Sequence, residues 1–257
     1  MSLVLLAMAM LAGLGALLLY YRSKERRAPD NITPALGYHI LTPYYDKVVR
    51  LTCREAAWKP ELVKLLELQE VGSSSSSSSS SSKPTRALDI GCGTGTLVGL
   101  IKRSHGDAEV FGLDADGEVL SIARAKLARS KLDGGVHFDQ GYSTKLPYPD
   151  NSFDRVTSSL LLHHLATEDK SQTFKECHRV LKPGGKLIIA DWGQPASALM
   201  RICYFGVQAL DGFETTADNV KGRLPELAKE AGFKRVAVIA SYSTVFGTLS
   251  IFSGVKA

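Results

Sequence analysis

The 257-residue chain has no C-x-x-C pair; Cys53, Cys92, Cys177 and Cys203 are scattered. Such spacing offers neither a disulfide framework nor a zinc site, and it suits a reducing compartment. A basic stripe is also missing. Lys and Arg total 31 against 26 Asp and Glu, a net charge of +5, which is too mild to argue for nucleic acid. Charge is absent altogether between Met1 and Tyr21. Disorder is excluded for the chain as a whole, because 44% of residues are hydrophobic and 22% charged, enough to bury a core.

The uncharged run is long enough to span a bilayer, since about 20 helical residues cover the ~30 Å hydrocarbon core. Its alanines and glycines are common in membrane helices. Tyr20 and Tyr21 fall where an interfacial belt belongs, and Arg22, Lys24, Arg26 and Arg27 follow at once. A cleaved signal peptide carries its positive charge before the apolar run, and a mitochondrial presequence carries arginine within it. This sequence does neither. Residues 1–21 are therefore expected to be a transmembrane signal anchor. The positive-inside rule keeps the body of the protein on the cytosolic side, at the endoplasmic reticulum or the mitochondrial outer membrane. The sequon Asn31-Ile32-Thr33 is followed by Pro34 and is expected to be idle.

Residues 73–82 are ten consecutive serines, a low-complexity linker that cannot pack. Residues 22–72 before it read as juxtamembrane and lid helices. Leu62, Leu65, Leu66 and Leu68 follow helical spacing, with Pro60 suited to the first turn of a new helix. From residue 83 onward strand and helix patterns alternate, as in a doubly wound sheet.

Arg86 to Ile90 reads as a short buried strand, followed by Gly91-Cys92-Gly93-Thr94-Gly95 and a helical run from Thr96 to Arg103. Glycines permit a sharp turn and close approach of a ligand, and the helix behind presents free N–H groups. A second strand from Glu109 ends at Asp114, 19 residues after Gly95. A carboxylate at that tip is well placed to accept the two hydroxyls of a ribose. The dinucleotide fingerprint G-x-G-x-x-G is not met, because Thr96 stands where its third glycine belongs. Further strands are expected at 136–138, 153–159, 186–190, 236–239 and 245–252. Helices are expected at 116–129, 167–180 and 224–231, with an insertion at 195–219.

The string Leu88 to Gly95 resembles the first motif of class I S-adenosylmethionine (SAM)-dependent methyltransferases. The resemblance continues through Gly112-Leu113-Asp114, Leu146 to Asp154, His163-His164-Leu165 and Arg179 to Gly185. It covers about residues 84–257 and is greatest to the branch of ubiquinone and menaquinone C-methyltransferases. It implies a Rossmann-like, mostly parallel seven-stranded sheet with an antiparallel last strand. It further implies that Asp89, Gly91, Cys92, Gly93 and Gly95 hold the amino-acid part of SAM. Asp114 and Ala115 would hold the ribose, and the loop at Tyr142 and Ser143 would flank the adenine. Relatives often carry an acidic residue where Tyr142 stands, so Ser143, a backbone carbonyl or stacking by Tyr142 would have to replace that contact.

Methyl transfer from a sulfonium needs positioning and desolvation, and a base where the acceptor must lose a proton. His163 and His164 after the fourth strand, and Asp191 ending the fifth, are the candidates; each also has a structural alternative as a cap or packing group. Gly37 to Asp46 resembles a helix that covers the site in this branch, with Tyr38, Tyr45 and Asp46 closing over it, and Tyr45 is the catalytic candidate there. Met200, Ile202, Tyr204, Phe205, Val207 and Leu210 form an apolar strip that either lines a pocket, touches a bilayer or is core. No metal is expected. The sequence thus implies a membrane-anchored SAM-dependent methyltransferase acting on a small, lipophilic acceptor. The alternatives are a weak or inactive SAM-fold scaffold, favoured by Tyr142, and an arsenic methyltransferase, which needs clustered thiolates. A nucleic-acid methyltransferase is disfavoured because Ser158-Ser159-Leu160-Leu161 stands where a Pro-Pro-Tyr-type tetrapeptide would be.

Overall fold

Short apolar strands bounded by glycine turns build the centre of the protein, described here by a computed structural model at residues 52–68 and 84–257. The expected anchor at 1–21, Tyr38, Tyr45, Asp46 and the serine tract lie outside the described residues. Among the described residues no helix is long and apolar enough to cross a membrane.

The order is α1 (Glu55–Leu65), β1 (Arg86–Ile90), α2 (Thr96–Ser104), β2 (Glu109–Asp114), α3 (Gly117–Arg129), β3 (Val136–Gln140) and β4 (Phe153–Ser159). After a 3-10 turn at Leu162–His164 come α4 (Thr167–Val180), β5 (Leu181–Trp192), α5 (Ala198–Asp211), α6 (Ala217–Val220), α7 (Leu224–Glu230), β6 (Lys234–Thr244) and β7 (Gly247–Val255). The strands form one seven-stranded sheet in the order β3-β2-β1-β4-β5-β7-β6. Strands β1 to β5 are parallel, and β7 runs antiparallel to both β5 and β6, as expected.

Alternate residues of a buried strand serve opposite faces. Ala87, Val110, Ile188 and Ala190 pack with Trp58, Leu97, Ile101 and Leu120 on one side of the sheet. Leu88, Phe111, Leu113 and Val156 pack with Phe174, Leu224 and Leu227 on the other. The order of strands reverses between β1 and β4, so a crevice opens beyond their carboxyl ends, where ligands bind in such sheets. The 3-10 turn and the loop after β1 both leave the sheet there.

Pro60 departs from expectation. It sits inside α1 rather than in the first turn. The helix persists around a proline because Trp58, Leu62 and Leu66, four residues apart, are all fully buried, and tertiary packing outweighs the lost N–H. Its carboxyl end is capped from the sheet. Arg155 donates to the carbonyls of Leu66 and Glu67, and Lys186 donates to that of Leu65 at 2.9 Å. Cations at a helix C-terminus satisfy its last carbonyls and its dipole.

Lys182-Pro183-Gly184-Gly185 follows α4, which ends at Val180. It forms an irregularity within β5, where pairing with β4 jumps from Phe153↔Leu181 to Arg155↔Lys186. Arg179 before it reaches the Leu146–Asp150 segment, donating to the carbonyls of Tyr148 and Leu146 and pairing with Asp150 and Glu176. Two of the recurring motifs are thus one clasp that holds the loop after β3.

Candidate active site

The turn after β1 is built on left-handed backbone. Gly91, Gly93 and Gly95 have φ of +68°, +51° and +71°, a region costly for residues with a Cβ. At Gly91 a Cβ would also lie 2.9 Å from the Leu161 side chain, whereas at Gly93 it would meet nothing within 4 Å. One glycine is fixed by packing and the other leaves its side of the loop open. The Asp114 carboxylate ties the loop to β2, accepting from the backbone N–H of Gly93 at 2.8 Å and of Asp116 at 3.0 Å. A carboxylate offers about four acceptor sites, so two remain for further donors.

Asp89 is the electrostatic anomaly of the site. It is 1% exposed, and neither carboxylate oxygen has a hydrogen-bond partner. Burial pushes its pKa up to about 8; the Lys59 charge opposes this and the Asp114 charge adds to it. Lys59 forms a buried ion pair with Glu55 one turn earlier on α1. Asp114 is likewise raised by burial, against the hydrogen bonds it accepts. Two acidic groups are therefore held together with one buried lysine, an arrangement that lacks positive charge.

On the far side of the loop, Tyr142 is 53% exposed, free in position to lie along a ligand face. The Ser143 hydroxyl is buried and shares a 2.9 Å hydrogen bond with Thr173 of α4. The Ala115 carbonyl accepts from the Gln140 side chain at 2.9 Å. Cys92 is buried, with its thiol against Gly112, where a Cβ would stand 2.9 Å from the sulfur.

The histidine pair follows β4 in the 3-10 turn. His163 is buried, and its Nδ1 lies 2.8 Å from Oδ1 of Asp191. Asp191 is itself a hub. Its oxygens accept from the backbone N–H of Leu162 and Trp192, both at 2.7 Å, and from the Asn219 amide at 3.2 Å. Burial raises its pKa, but the His163 charge and these hydrogen bonds outweigh burial and leave it lowered. Conversely, burial lowers the pKa of His163, and the Asp191 carboxylate with its hydrogen bond outweighs that, leaving it raised. Asp191 therefore orients His163. His164, whose ring centroid is 3.9 Å from that of His163, is pushed down to about 4 by burial and by its neighbour's charge.

Sequence reasoning missed three residues here. Asp211, closing α5, lies 3.7 Å from both His163 Nε2 and His164 Nδ1. It is the first charge after Arg201 in an otherwise uncharged helix segment, which is the signal that was available. Tyr204, foreseen as apolar lining, is buried with an unpartnered hydroxyl. Burial raises its pKa, and so do the charges of Asp191 and Asp211. Lys59 had no signal in the sequence, since only the docking of α1 brings it to Asp89.

The thiols do not gather. Among the described residues the cluster of metal-ligating type is His163, His164 and Asp211, without a cysteine. Burial raises Cys53 to about 11 and also raises Cys92 and Cys177, the opposite of what thiolate chemistry needs.

The cofactor end fits SAM. A buried, unpartnered carboxylate at Asp89 matches an ammonium group, the open side of Gly93 admits close approach, and Asp114 retains acceptor capacity for hydroxyls. Residues 88–189 match the family model described as a methyltransferase domain. The ubiquinone/menaquinone biosynthesis C-methyltransferase UbiE of Pseudomonas paraeruginosa is 32% identical over 190 residues, 66% of this chain and 72% of that protein. The demethylmenaquinone methyltransferase of Lactobacillus johnsonii is 30% identical over 218 residues, 77% of this chain and 83% of that protein. The solved structure of phosphoethanolamine N-methyltransferase 2 of Haemonchus contortus with S-adenosyl-L-methionine gives a TM-score of 0.65. It is 18% identical and covers 88% of this chain and 59% of that one, a likeness of fold. With motifs, sheet order and relatives in agreement, this chain belongs to the class I SAM-dependent methyltransferases and is an enzyme of that type.

Proposed function

We propose that the acceptor is a small lipophilic molecule of the quinol or phenol type, methylated at a membrane surface. The observation that carries this reading is the double character of α5. Its inner side supplies Tyr204 and Asp211 beside the histidines, while Leu199, Ile202 and Phe205 are exposed on its outer side. This largely apolar face, with Arg201 one turn before Phe205, suits a greasy acceptor. Two relatives are named for quinone-type substrates, which agrees with it.

SAM, when bound, supplies a methyl group already activated on a sulfonium. Asp89 with the Gly91, Cys92, Gly93 and Gly95 loop is assigned to its amino-acid end, Asp114 and Ala115 to the ribose side, and Tyr142 to stacking on the adenine. His163, oriented through Nδ1 by Asp191, is assigned the proton of an acceptor hydroxyl at Nε2. His164 lines the same side as a neutral ring. Tyr45, outside the described residues, keeps its assignment as part of a cover, and residues 1–21 as the anchor that places the domain in the cytosol.

The test is transfer of a labelled methyl group from SAM to membrane extracts by the full chain. Label in the lipid-soluble quinol or phenol fraction, lost in His163→Asn, is the expected result. Label confined to water-soluble metabolites would remove the lipophilic acceptor while leaving the enzyme class intact.

A further inference from the structure

The cluster at the end of α5 has the composition of a metal site. His163, His164 and Asp211 each offer one ligand atom, and these atoms lie within 4.8 Å of one another. Both histidine–carboxylate separations are 3.7 Å, too long for hydrogen bonds. They are close to the spacing of two ligands on one ion, since two bonds of about 2.0–2.1 Å at a tetrahedral angle span roughly 3.4 Å. His163 Nδ1 is held by Asp191, which leaves Nε2 on the Asp211 side. A carboxylate behind a ligating imidazole fixes its tautomer and raises its basicity. Three ligands from two elements thus converge with an outer partner in place.

A second observation points the same way. Around these groups the buried oxygens exceed the donors. The Tyr204 hydroxyl, the Gln208 side-chain oxygen and the Asn219 side-chain oxygen are all buried without partners. Asn219 donates its amide to Asp191 and to the Trp192 carbonyl, and Gln208 donates to Thr216. Buried polar atoms are ordinarily satisfied, and the Tyr204 hydroxyl, close enough to feel the Asp211 charge, is left without a partner.

We propose that His163 Nε2, His164 Nδ1 and the Asp211 carboxylate form a binding site for a divalent first-row transition ion of the zinc class. Two imidazoles with one carboxylate suit such ions and disfavour calcium or magnesium, which take oxygen ligands. The ion competes with a proton for His163 Nε2, so the base role assigned above belongs to the metal-free chain. Three protein ligands leave a coordination position open. An acceptor oxygen is a natural fourth ligand, which narrows the acceptor to molecules with a hydroxyl beside the methylated atom. The site goes beyond the methyl-transfer reading and stands on the cluster alone.

The experiment titrates Co2+ into the chelator-stripped, detergent-solubilised full chain and reads its visible absorption. SAM binding is measured in parallel by calorimetry. The expected result is one ion per chain, with at least a tenfold loss of Co2+ affinity in His164→Ala and in Asp211→Asn. Both variants should retain SAM binding, which shows that they are folded and that the cofactor end is intact. Zn2+ should displace Co2+ from the native chain. Absence of an absorption band, or a band that survives both substitutions, overturns the site. Loss of SAM binding by the native chain would instead overturn the cofactor assignment and leave the metal result standing.

Discussion

At the scale of single residues, two buried groups have proton affinities shifted by their surroundings, and each makes a prediction. The Asp89 carboxyl is held near neutral form, up to about 8. Between the ordinary carboxylate range and that value, the folded chain keeps a proton the unfolded chain has released. Its contribution to stability is therefore full at acid pH and is lost as pH rises toward 8. Asp89→Asn still buries an unpaired polar group but cannot ionise, so it removes the ionisation penalty and should stabilise the ligand-free protein at pH 7–8 by about 1–3 kcal/mol, the equivalent of roughly one to two pK units. The same substitution should cut SAM affinity by tenfold or more. Thermal melting with calorimetry checks the pair of effects, and a destabilised Asp89→Asn protein would contradict the assignment.

His163 is shifted in the same direction for a different reason, stabilisation of its charged form. Its pKa is raised chiefly because the Asp191 charge and hydrogen bond outweigh burial. Methyl transfer to a hydroxyl acceptor needs its unprotonated form, so the rate should rise with pH above the ordinary histidine range. Asp191→Asn removes the cause of the shift, so the rising limb should move to lower pH while the maximal rate falls. A lowered rate with an unmoved limb would reduce Asp191 to a structural hub. Asp191 also binds the backbone of Leu162 and Trp192, so the pH profile is the readout that separates positioning from folding.

At the scale of elements, the insertion between β5 and α7 decides the acceptor side. It is pinned by a buried ion pair. Lys170 of α4 donates to Asp218 of α6 at 3.2 Å and to the Thr215 carbonyl. Asp218 also accepts from Thr167 at 2.6 Å and pairs with Arg223 at 3.1 Å. Burial lowers the pKa of Lys170, partly offset by Asp218. Lys170→Met should destabilise the protein by about 3 kcal/mol, as loss of one partner leaves a buried charge less well compensated. Because the pair holds α5 and α6 rather than the loop after β1, acceptor turnover should suffer more than SAM affinity. Urea unfolding and a KM comparison for the two substrates test this.

The elements also show how far the sequence could be read. β1, β2, β4, α4 and α7 lie where their apolar spacing and glycine turns put them, because strands buried on both faces declare themselves as short apolar runs. Pro60 misled, since a proline preceded by Trp58 and followed by Leu62 and Leu66 is overruled by burial that only the packed helix displays. Ser143 has a partner that local sequence does not display, since Thr173 lies 30 residues away.

For the whole molecule, the proposed arrangement is a methyltransferase domain tethered by residues 1–21 with an apolar α5 face beside its site. The full chain should remain in the membrane pellet after alkaline carbonate extraction, and a chain beginning near Pro29 should be released. Retention of the shorter chain would shift the membrane contact from the anchor to the domain itself. Release of both would remove the anchor.

The sequence by itself determined the cofactor end. Asp89, the glycine turn and Asp114 are contiguous with the strands that carry them, and local backbone chemistry dictates their geometry. Through the resemblance its motifs carry, it also implied a mostly parallel seven-stranded sheet with an antiparallel last strand. The acceptor end was decided by tertiary structure. His163, Asp191, Tyr204, Asp211 and Asn219 come from the turn after β4, from β5, α5 and α6, and Lys59 comes from α1 across the serine tract. Their charges and hydrogen bonds exist only after folding brings them together, because a carboxylate acquires a perturbed proton affinity from its burial and its neighbours, and neither is written along the chain.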